Sequence, residues 1–362
     1  MKAVVTAGGR GTRLRPITWT MNKHLVPLAN EPMIFNAFKK IREAGITDVA
    51  IIVNPGERSL QEVCRDGSQF GLKLTYIEQV GGPIGLANTL YQAEAFIGGD
   101  DVLLYLGDNI ILGSIKPLVD KFYHEQLDCC LALSRVENPQ RFGVAIFGDD
   151  GRLSGVVEKP ENPPSPYAVT GLYIYKGPAY FEAYKHIKPS ARGEYEISDI
   201  HDHLIKANYR VSAQEMFGWW KDTGKPEDLL EGNQLLLNSL TAQDGLRGEG
   251  IEIHPTARIQ GMVKIEHGAV IGENSLVRGP AVIGRGAVIE NSYIGPYTSI
   301  GNKAVVKNSE VEHSIIMDES IINTGTRIVD SIIGYNVTIT DDSKTYPRGH
   351  KMIVGENSYL EL

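Results

Sequence analysis

From Ile259 onward one aliphatic residue recurs at a fixed interval. Ile259, Ile265, Ile271, Val277, Ile283 and Ile289 are spaced by six, and after a slip of one the series continues through Ile294, Ile300 and Val306. Further slips lead to Val311, Ile316, Ile322, Ile328, Ile333 and Ile339, and small residues sit four places after several members: Ser275, Ala287, Thr298, Ala304. Neither the 3.6-residue period of a helix nor the two-residue period of a strand produces this spacing. A coil with three short sides does, each side turning one aliphatic side chain inward over a small neighbour. The pattern therefore predicts a left-handed parallel β-helix of hexapeptide repeats over 251–362, including a C-terminal tail.

The first 238 residues obey a different grammar. Val49–Val53, Val102–Leu106 and Cys129–Leu133 are short apolar runs that read as buried strands, while Asn36–Ala44, Leu86–Phe96 and Ile115–Gln126 read as helices. Alternation of this kind predicts a mainly parallel α/β sheet with helices on both faces, which places ligands beyond the carboxyl ends of the strands. A helical segment, Lys225–Leu240, leads into the polar stretch "TAQDGLRGEG", which reads as a linker over 239–250 between the two domains.

With 362 residues the chain is long enough for two cores. Its formal net charge of -8, without a basic run, argues against nucleic acid or an acidic membrane as partner. No apolar run approaches a membrane span and no signal-peptide core precedes the first glycines, so a cytoplasmic protein is expected. Cys64, Cys129 and Cys130 read as reduced, buried thiols.

An anion must therefore be held locally, and "GGRGTRLRP" (8–16) behind the β-branched start is built for it. It is not a dinucleotide fingerprint, because Leu14 stands where the third glycine belongs. Nor is it a P-loop, because no Lys-Ser or Lys-Thr closes it. Gly8, Gly9 and Gly11 still allow backbone N–H groups to approach phosphate oxygens closely, with Arg13 adding a fork of donors.

The ordered set "GGRGTRLRPIT", "KHLVPLANEPMI", "IEQVGGPIGLA", "LYLGDNI", "RFGV", "VEKP", "PYAVTGLYIY", "RGEYEISDI" and "WWKDTG" resembles the sugar-1-phosphate nucleotidylyltransferases, most closely the glucose-1-phosphate thymidylyltransferases. It covers about the first 235 residues, and the hexapeptide segment resembles the tail of the long form of that family. The resemblance implies a Rossmann-like nucleotide-diphospho-sugar transferase fold, with a mixed, mainly parallel sheet. It also implies attack by a sugar 1-phosphate oxygen on the α-phosphorus of a nucleoside triphosphate, giving a nucleotide sugar and pyrophosphate. Gly8, Gly9, Gly11 and Thr12 would line the triphosphate, Arg13 would contact its β and γ phosphates, and Lys23 would sit near the α-phosphate. Gln79 and Gly85 would read the base. Gly143, Glu158, Lys159, Val169 and Tyr173 would form the sugar pocket, with Arg192 and Glu194 closing it. Asp108 and Asp222 would hold Mg2+, which takes hard oxygen ligands.

The implied substrates are dTTP and glucose 1-phosphate. Two departures from the family pattern, His24 where Gln is common and Phe142 where Tyr is common, keep UTP open. Hexapeptide helices also carry acetyl-CoA chemistry elsewhere, with His254, His267, His313 and His350 as the available bases. The expected role of the β-helix is assembly, with a homo-oligomer, a trimer first, through its flat sides.

Overall fold

A computed structural model describes residues 1–82, 84–216, 218–241 and 249–341. The chain forms two compact units. One contains Met1–Arg10, Asn22–His24 and Ile34–Asp222; the other contains Gly11–Met21, Leu25–Met33 and the described part of Thr223–Leu362. Most of the predicted linker, together with His350 and the tail beyond 341, lies outside the described residues.

The first unit is built on one sheet. Its strands are β1 (Lys2–Thr6), β2 (Asp48–Val53), β3 (Lys73–Glu78), β4 (Asp101–Leu106), β6 (Cys129–Arg135), β7 (Gly143–Phe147), β8 (Leu153–Glu158), β9 (Tyr167–Lys176) and β10 (Val211–Glu215), while β5 (Asn109–Ile111) pairs separately with β11 (Trp220–Asp222). The order β8-β7-β9-β4-β1-β2-β3 has β6 beside β9 and β10 beside β6. Strands β4, β1, β2 and β3 run parallel. The first three are near-continuous apolar runs buried on both faces, as such an interior requires, while β3 lies at the edge and is partly exposed. The sheet becomes mixed at β9, which runs antiparallel to β4, β6 and β7. Between Val169 and Tyr173 the pairing of β9 with β6 shifts register. Such an irregularity re-aims side chains at a sheet interior, here in the segment "VTGLY".

The predicted helices appear as Ile34–Glu43 and Lys116–His124, but the single helix expected over Leu86–Phe96 is two, Leu86–Tyr91 and Glu94–Ile97. At the break the Gln92 side chain holds both main-chain groups of Val80, accepting from its N–H (2.7 Å) and donating to its carbonyl (2.9 Å). The three cysteines are free and buried, and burial pushes the thiols of Cys64 and Cys130 up to about 12, so they stay unreactive thiols.

The second unit contains the stacked parallel strands of a β-helix, consistent with the left-handed form. One side aligns Ile253, Ile271, Ile289, Val306, Ile322 and Ile339. A second aligns Ile259, Val277, Ile294, Val311 and Ile328, and the third Ile265, Ile283, Ile300, Ile316 and Ile333. Each predicted aliphatic residue is a rung of one of these ladders, and the small residues Ser275, Ala287, Thr298 and Ala304 are buried between them. Burying one such Ile or Val contributes about 1.5–3 kcal/mol, so the stack is the core of this unit. At one corner Asn274, Asn291 and Asn308 all take positive φ, which asparagine tolerates better than branched residues. Their carboxamides form a ladder, Asn291 to Asn308 at 2.7 Å and Asn308 to Asn323 at 3.0 Å.

Helix Pro226–Asn238, with Pro at its start and Asp228 accepting from the Lys225 N–H (2.9 Å), belongs to this unit. So does the two-residue hairpin in which Leu28 faces Glu31.

Candidate active site

Strands β1 and β4 are neighbours and end together, at Thr6 and Leu106. Beyond these ends the path of the chain is fixed by close approach. A Cβ on Gly107 would lie 2.5 Å from the Thr6 carbonyl oxygen, so only glycine lets the two strand ends meet and delivers Asp108 beside the glycine loop. There the Lys23 ammonium donates to Asp108 Oδ2 at 2.5 Å, and Asn109 Nδ2 donates to the other carboxylate oxygen at 2.9 Å. Burial alone would raise the Asp108 pKa, but the Lys23 charge and hydrogen bond, helped by His24 and Asn109, hold it below the usual carboxylate value.

Asp222, more than a hundred residues away in sequence, arrives through β11. In the antiparallel pairing of β11 with β5 it stands directly opposite Asn109, the neighbour of Asp108. Asn109 is itself held by Trp220, whose indole N–H donates to its Oδ1 at 2.6 Å. A Cβ on Gly171 would come within 2.8 Å of Asn109 Oδ1, so the glycine of "VTGLY" is needed for this approach. Asp108 and Asp222 thus occupy adjacent places on paired chain segments. Two carboxylates form the oxygen donor set that magnesium uses together with phosphates and water.

His24 was singled out in the sequence only as a departure from the family pattern. In the structure it is buried between the glycine loop and the end of β4, its Cε1 3.9 Å from where a Gly9 Cβ would stand. Burial lowers its pKa to about 4, so it is neutral at physiological pH. Asn22 Oδ1 accepts from the His24 main-chain N–H at 2.9 Å and lies the same distance from ring Nδ1. Asn22 in turn donates to Glu57 at 3.0 Å.

Gln79 is buried, with its amide nitrogen 3.0 Å from Thr89 Oγ1. The Thr89 hydroxyl donates its one hydrogen to the Gly85 carbonyl (3.2 Å), so it meets Gln79 as an acceptor and fixes the amide. Gln79 Oε1 is thereby directed at Gly8, 2.9 Å from where a Cβ would be. Gly85 has φ +114°, and a Cβ there would lie 2.4 Å from both N and O of Tyr195. Tyr195 is bound to this segment on both sides, donating to Ile84 O (2.8 Å) and accepting from Ala87 N–H (3.1 Å).

The predicted sugar residues converge. Gly143 pairs with Glu158 across β7 and β8, and its missing Cβ would meet Glu158 Oε2 at 3.3 Å and Val169 Cβ at 3.9 Å. Adjacent residues on a strand point to opposite faces, but Lys159 has φ +45° and turns back, placing its ammonium 3.0 Å from Glu158 Oε1. Arg192 approaches the same oxygen at 3.8 Å while pairing with Glu196 at 2.8 Å. Glu194 supplies its carbonyl to Ser190 N–H. Tyr173 is buried, and burial, with the charges of Glu158 and Asp222, pushes its phenol pKa up. Phe142, lacking the hydroxyl common in the family, meets Trp220 edge-on with ring centroids 5.1 Å apart.

Gly11, Thr12 and Arg13 belong to the second unit. Gly11 takes φ +58° and opens the short turn Thr12–Leu14, and its carbonyl accepts from the Thr18 hydroxyl at 2.6 Å. The Arg13 guanidinium lies over Gly224, 3.1–3.2 Å from where a Cβ would project. The glycine of "DTG" thus shapes the seat of the arginine.

A family model described as nucleotidyl transferase matches residues 2–239. The chain belongs to the nucleotidyl transferase family. Relatives of this transferase extend along its whole length. The low-salt glycan biosynthesis nucleotidyltransferase Agl11 of Haloferax volcanii is 42% identical, covering 100% of both chains. A glucose-1-phosphate thymidylyltransferase of Streptomyces griseus is also 42% identical, over 100% of this chain and 99% of its own. Among solved structures, a Bacillus anthracis chain described as a glucose-1-phosphate thymidylyltransferase, crystallised with sucrose, is 37% identical with a TM-score of 0.61. It covers 67% of this transferase and 96% of itself.

The site residues that the sequence did not single out are Asn22, Asn109, Trp220 and Tyr195, each of which acts by holding another residue. Asn109 in "LGDN", Trp220 in "WWKDTG" and Tyr195 in "RGEYEISDI" stood inside the motifs, while Asn22 carried no signal beyond standing next to Lys23. The β-helix histidines form no comparable site among the described residues. His254 and His267 are exposed at turns, and His313 is paired with Asp330. No described helix is long and apolar enough to cross a membrane.

Proposed function

We propose that this transferase makes dTDP-glucose and pyrophosphate from dTTP and glucose 1-phosphate. The observation that carries a thymine or uracil base, common to both readings, is the orientation of Gln79. Its carbonyl oxygen is presented as an acceptor, which suits the N3–H donor of thymine or uracil and mismatches the N3 acceptor of cytosine. UTP is the second reading, favoured by the changed surroundings at His24 and Phe142.

A phosphate oxygen of the sugar 1-phosphate attacks the α-phosphorus in line. The new P–O bond forms as the bond to the bridging oxygen of the β-phosphate breaks, and pyrophosphate leaves. No protein nucleophile takes part, so the tasks are positioning and charge neutralisation. Lys23 neutralises charge at the α-phosphate, Arg13 does so at the leaving phosphates, and the backbone of Gly8, Gly9, Gly11 and Thr12 lines the triphosphate. Glu158 accepts hydrogen bonds from sugar hydroxyls within the pocket of Gly143, Lys159, Val169 and Tyr173. Asp108 and Asp222 would hold Mg2+, which supplies further neutralisation of phosphate charge.

The β-helix assembles the enzyme as a homotrimer. The outward residues of one side, Val270, Val288, Val305 and Ile321, stand in register as an apolar line that is open to varying degrees, with Ile321 exposed. A second copy of the chain would cover it.

Pyrophosphate release measured across a matrix of nucleoside triphosphates and sugar 1-phosphates tests the reading. dTTP with glucose 1-phosphate should be the best pair. A kcat/KM for ATP or GTP above that for both pyrimidines would overturn it.

A further inference from the structure

The turn just after the catalytic lysine segment contains a conformational oddity. In the hairpin of Pro27–Leu28 with Glu31–Pro32, the two central residues Ala29 and Asn30 have φ of +49° and +64°. Positive φ at both central residues is the type I′ pattern, for which Asn-Gly or Asp-Gly is the usual choice. Alanine there is strained, since its Cβ crowds the following carbonyl. Such a conformation persists only where neighbours over-determine it.

Those neighbours are in the same compact unit. Asn233, on helix Pro226–Asn238, is fully buried, and both its Oδ1 and its Nδ2 make hydrogen bonds. Its Oδ1 accepts from the Ala29 N–H (2.8 Å) and from the Ser299 hydroxyl (2.6 Å), and its Nδ2 donates to the Tyr297 carbonyl (3.1 Å). The Asn30 side chain donates to the Ile300 carbonyl at 2.6 Å. The turn is therefore tied to one coil of the β-helix, residues 297–300, by two asparagines: Asn233 from the helix and Asn30 from the turn itself. The chain enters this hairpin at Leu25, two residues after Lys23.

We propose that Asn233 is a positioning residue for nucleotidyl transfer: by fastening the Ala29–Asn30 turn to the 297–300 coil, it sets where the segment carrying Lys23 is anchored. The β-helix then contributes to chemistry without touching substrate. The proposal rests on the transferase reading above.

The experiment separates the anchor from the enzyme activity. In full-length protein, Asn233→Ala should speed amide hydrogen exchange at Ala29, which needs no turnover. It should also lower kcat by about tenfold or more, the order expected when a reacting group is displaced by a fraction of an ångström. KM for the sugar 1-phosphate should change less than kcat. Adding Ala29→Gly to Asn233→Ala relieves the strain of the turn, since glycine takes positive φ freely, but does not restore the tie to the coil, and kcat should stay low. Asn30→Gly alone keeps the positive φ but removes the bond to Ile300, and it serves if Asn233→Ala does not fold; kcat should drop while the melting curve is retained.

Unchanged kcat in Asn233→Ala, or in folded Asn30→Gly, overturns the proposal. So does recovery of kcat when Ala29→Gly is added to Asn233→Ala, which would make turn strain and not the tie to the coil the cause of the loss. If the unaltered protein releases no pyrophosphate from any pair, it is the transferase reading that fails, and exchange at Ala29 still reports whether the anchor exists.

Discussion

Replacing His201 by Phe should make the first unit markedly less sensitive to acid. His201 lies on helix Ile197–Lys206, fully buried, with its ring stacked on Tyr175 and its Nε2 2.6 Å from the Tyr175 hydroxyl. Its Nδ1 is buried without a partner among the described residues. Burial lowers its pKa from 6.5 to about 3, as it lowers that of His24 to about 4. A histidine depressed in this way stabilises the fold fully above pH 6.5. As the pH falls below that value the unfolded chain takes up a proton that the folded chain refuses, and stability is lost until the folded pKa is passed. Between about pH 7.5 and pH 5 each of these two histidines should therefore cost about 2 kcal/mol of stability, near 4 kcal/mol together.

His201→Phe removes one of the two terms. It also leaves the Tyr175 hydroxyl without a partner, at about 1–3 kcal/mol independent of pH. Denaturant unfolding followed by tryptophan fluorescence measures both effects, because Trp220 is buried in this unit while Trp19 and Trp219 are largely exposed. The variant should be weaker at about pH 7.5 yet lose about 2 kcal/mol less than the original protein on acidification to about pH 5. Groups common to both proteins cancel in that difference. An equal acid loss in the two proteins would refute the claim that His201 is held neutral by burial.

Gly85→Ala should reduce kcat/KM for the triphosphate by about a hundredfold or more, since a Cβ driven into the Tyr195 backbone costs about 3 kcal/mol or must displace the loop; near-normal kcat/KM would show that the loop tolerates a side chain there. If Asp108 and Asp222 hold magnesium as proposed, Asp108→Asn and Asp222→Asn should each lower kcat by about a hundredfold or more with the fold intact, because the amide keeps the size but loses the charge that would bind the metal. Turnover close to normal at limiting magnesium would remove that residue from the metal site. Val288→Glu should lower the particle mass in light scattering to that of one chain, whereas an unchanged mass would place the subunit contact elsewhere.

The β-helix was legible in advance rung by rung because a single short-range rule governs it. Each aliphatic residue meets its counterpart one coil away, so spacing in sequence becomes position in space. The centre of the parallel half was legible for a similar reason, as the two apolar runs Val49–Val53 and Val102–Leu106 that flank the β-branched start of the chain. That the sheet is mixed followed from the family resemblance, but where it turns mixed, at β9, was not legible, because "AVTGLYIY" is equally apolar whichever way its neighbours run. The candidate site was legible only as residue types in a familiar order. That Asp222 stands opposite Asn109 depends on a strand pairing across more than a hundred residues, which no local pattern encodes. The turn of Lys159 toward Glu158 depends on one backbone angle at a residue whose type gives no hint of it. Nor could the sequence show that Ala29 takes a conformation normally reserved for asparagine or glycine, since its support comes from Asn233, 204 residues on.

The ladders of the β-helix step by 18, 17 or 16 residues, and the differences are absorbed outside the paired strands: Ile271 to Ile289 is 18, Ile289 to Val306 is 17, and Val306 to Ile322 is 16. Corners can thus gain or lose a residue while the rungs stay in line. Whole coils are equally interchangeable, each adding about 4.8 Å of height and nothing else. Among the described residues, the hydrogen bonds of Asn30 and Asn233 tie the hairpin to the coil at 297–300. A lineage of such enzymes can grow or shorten by coil duplication or loss, altering how far its subunits reach while the chemistry is inherited unchanged.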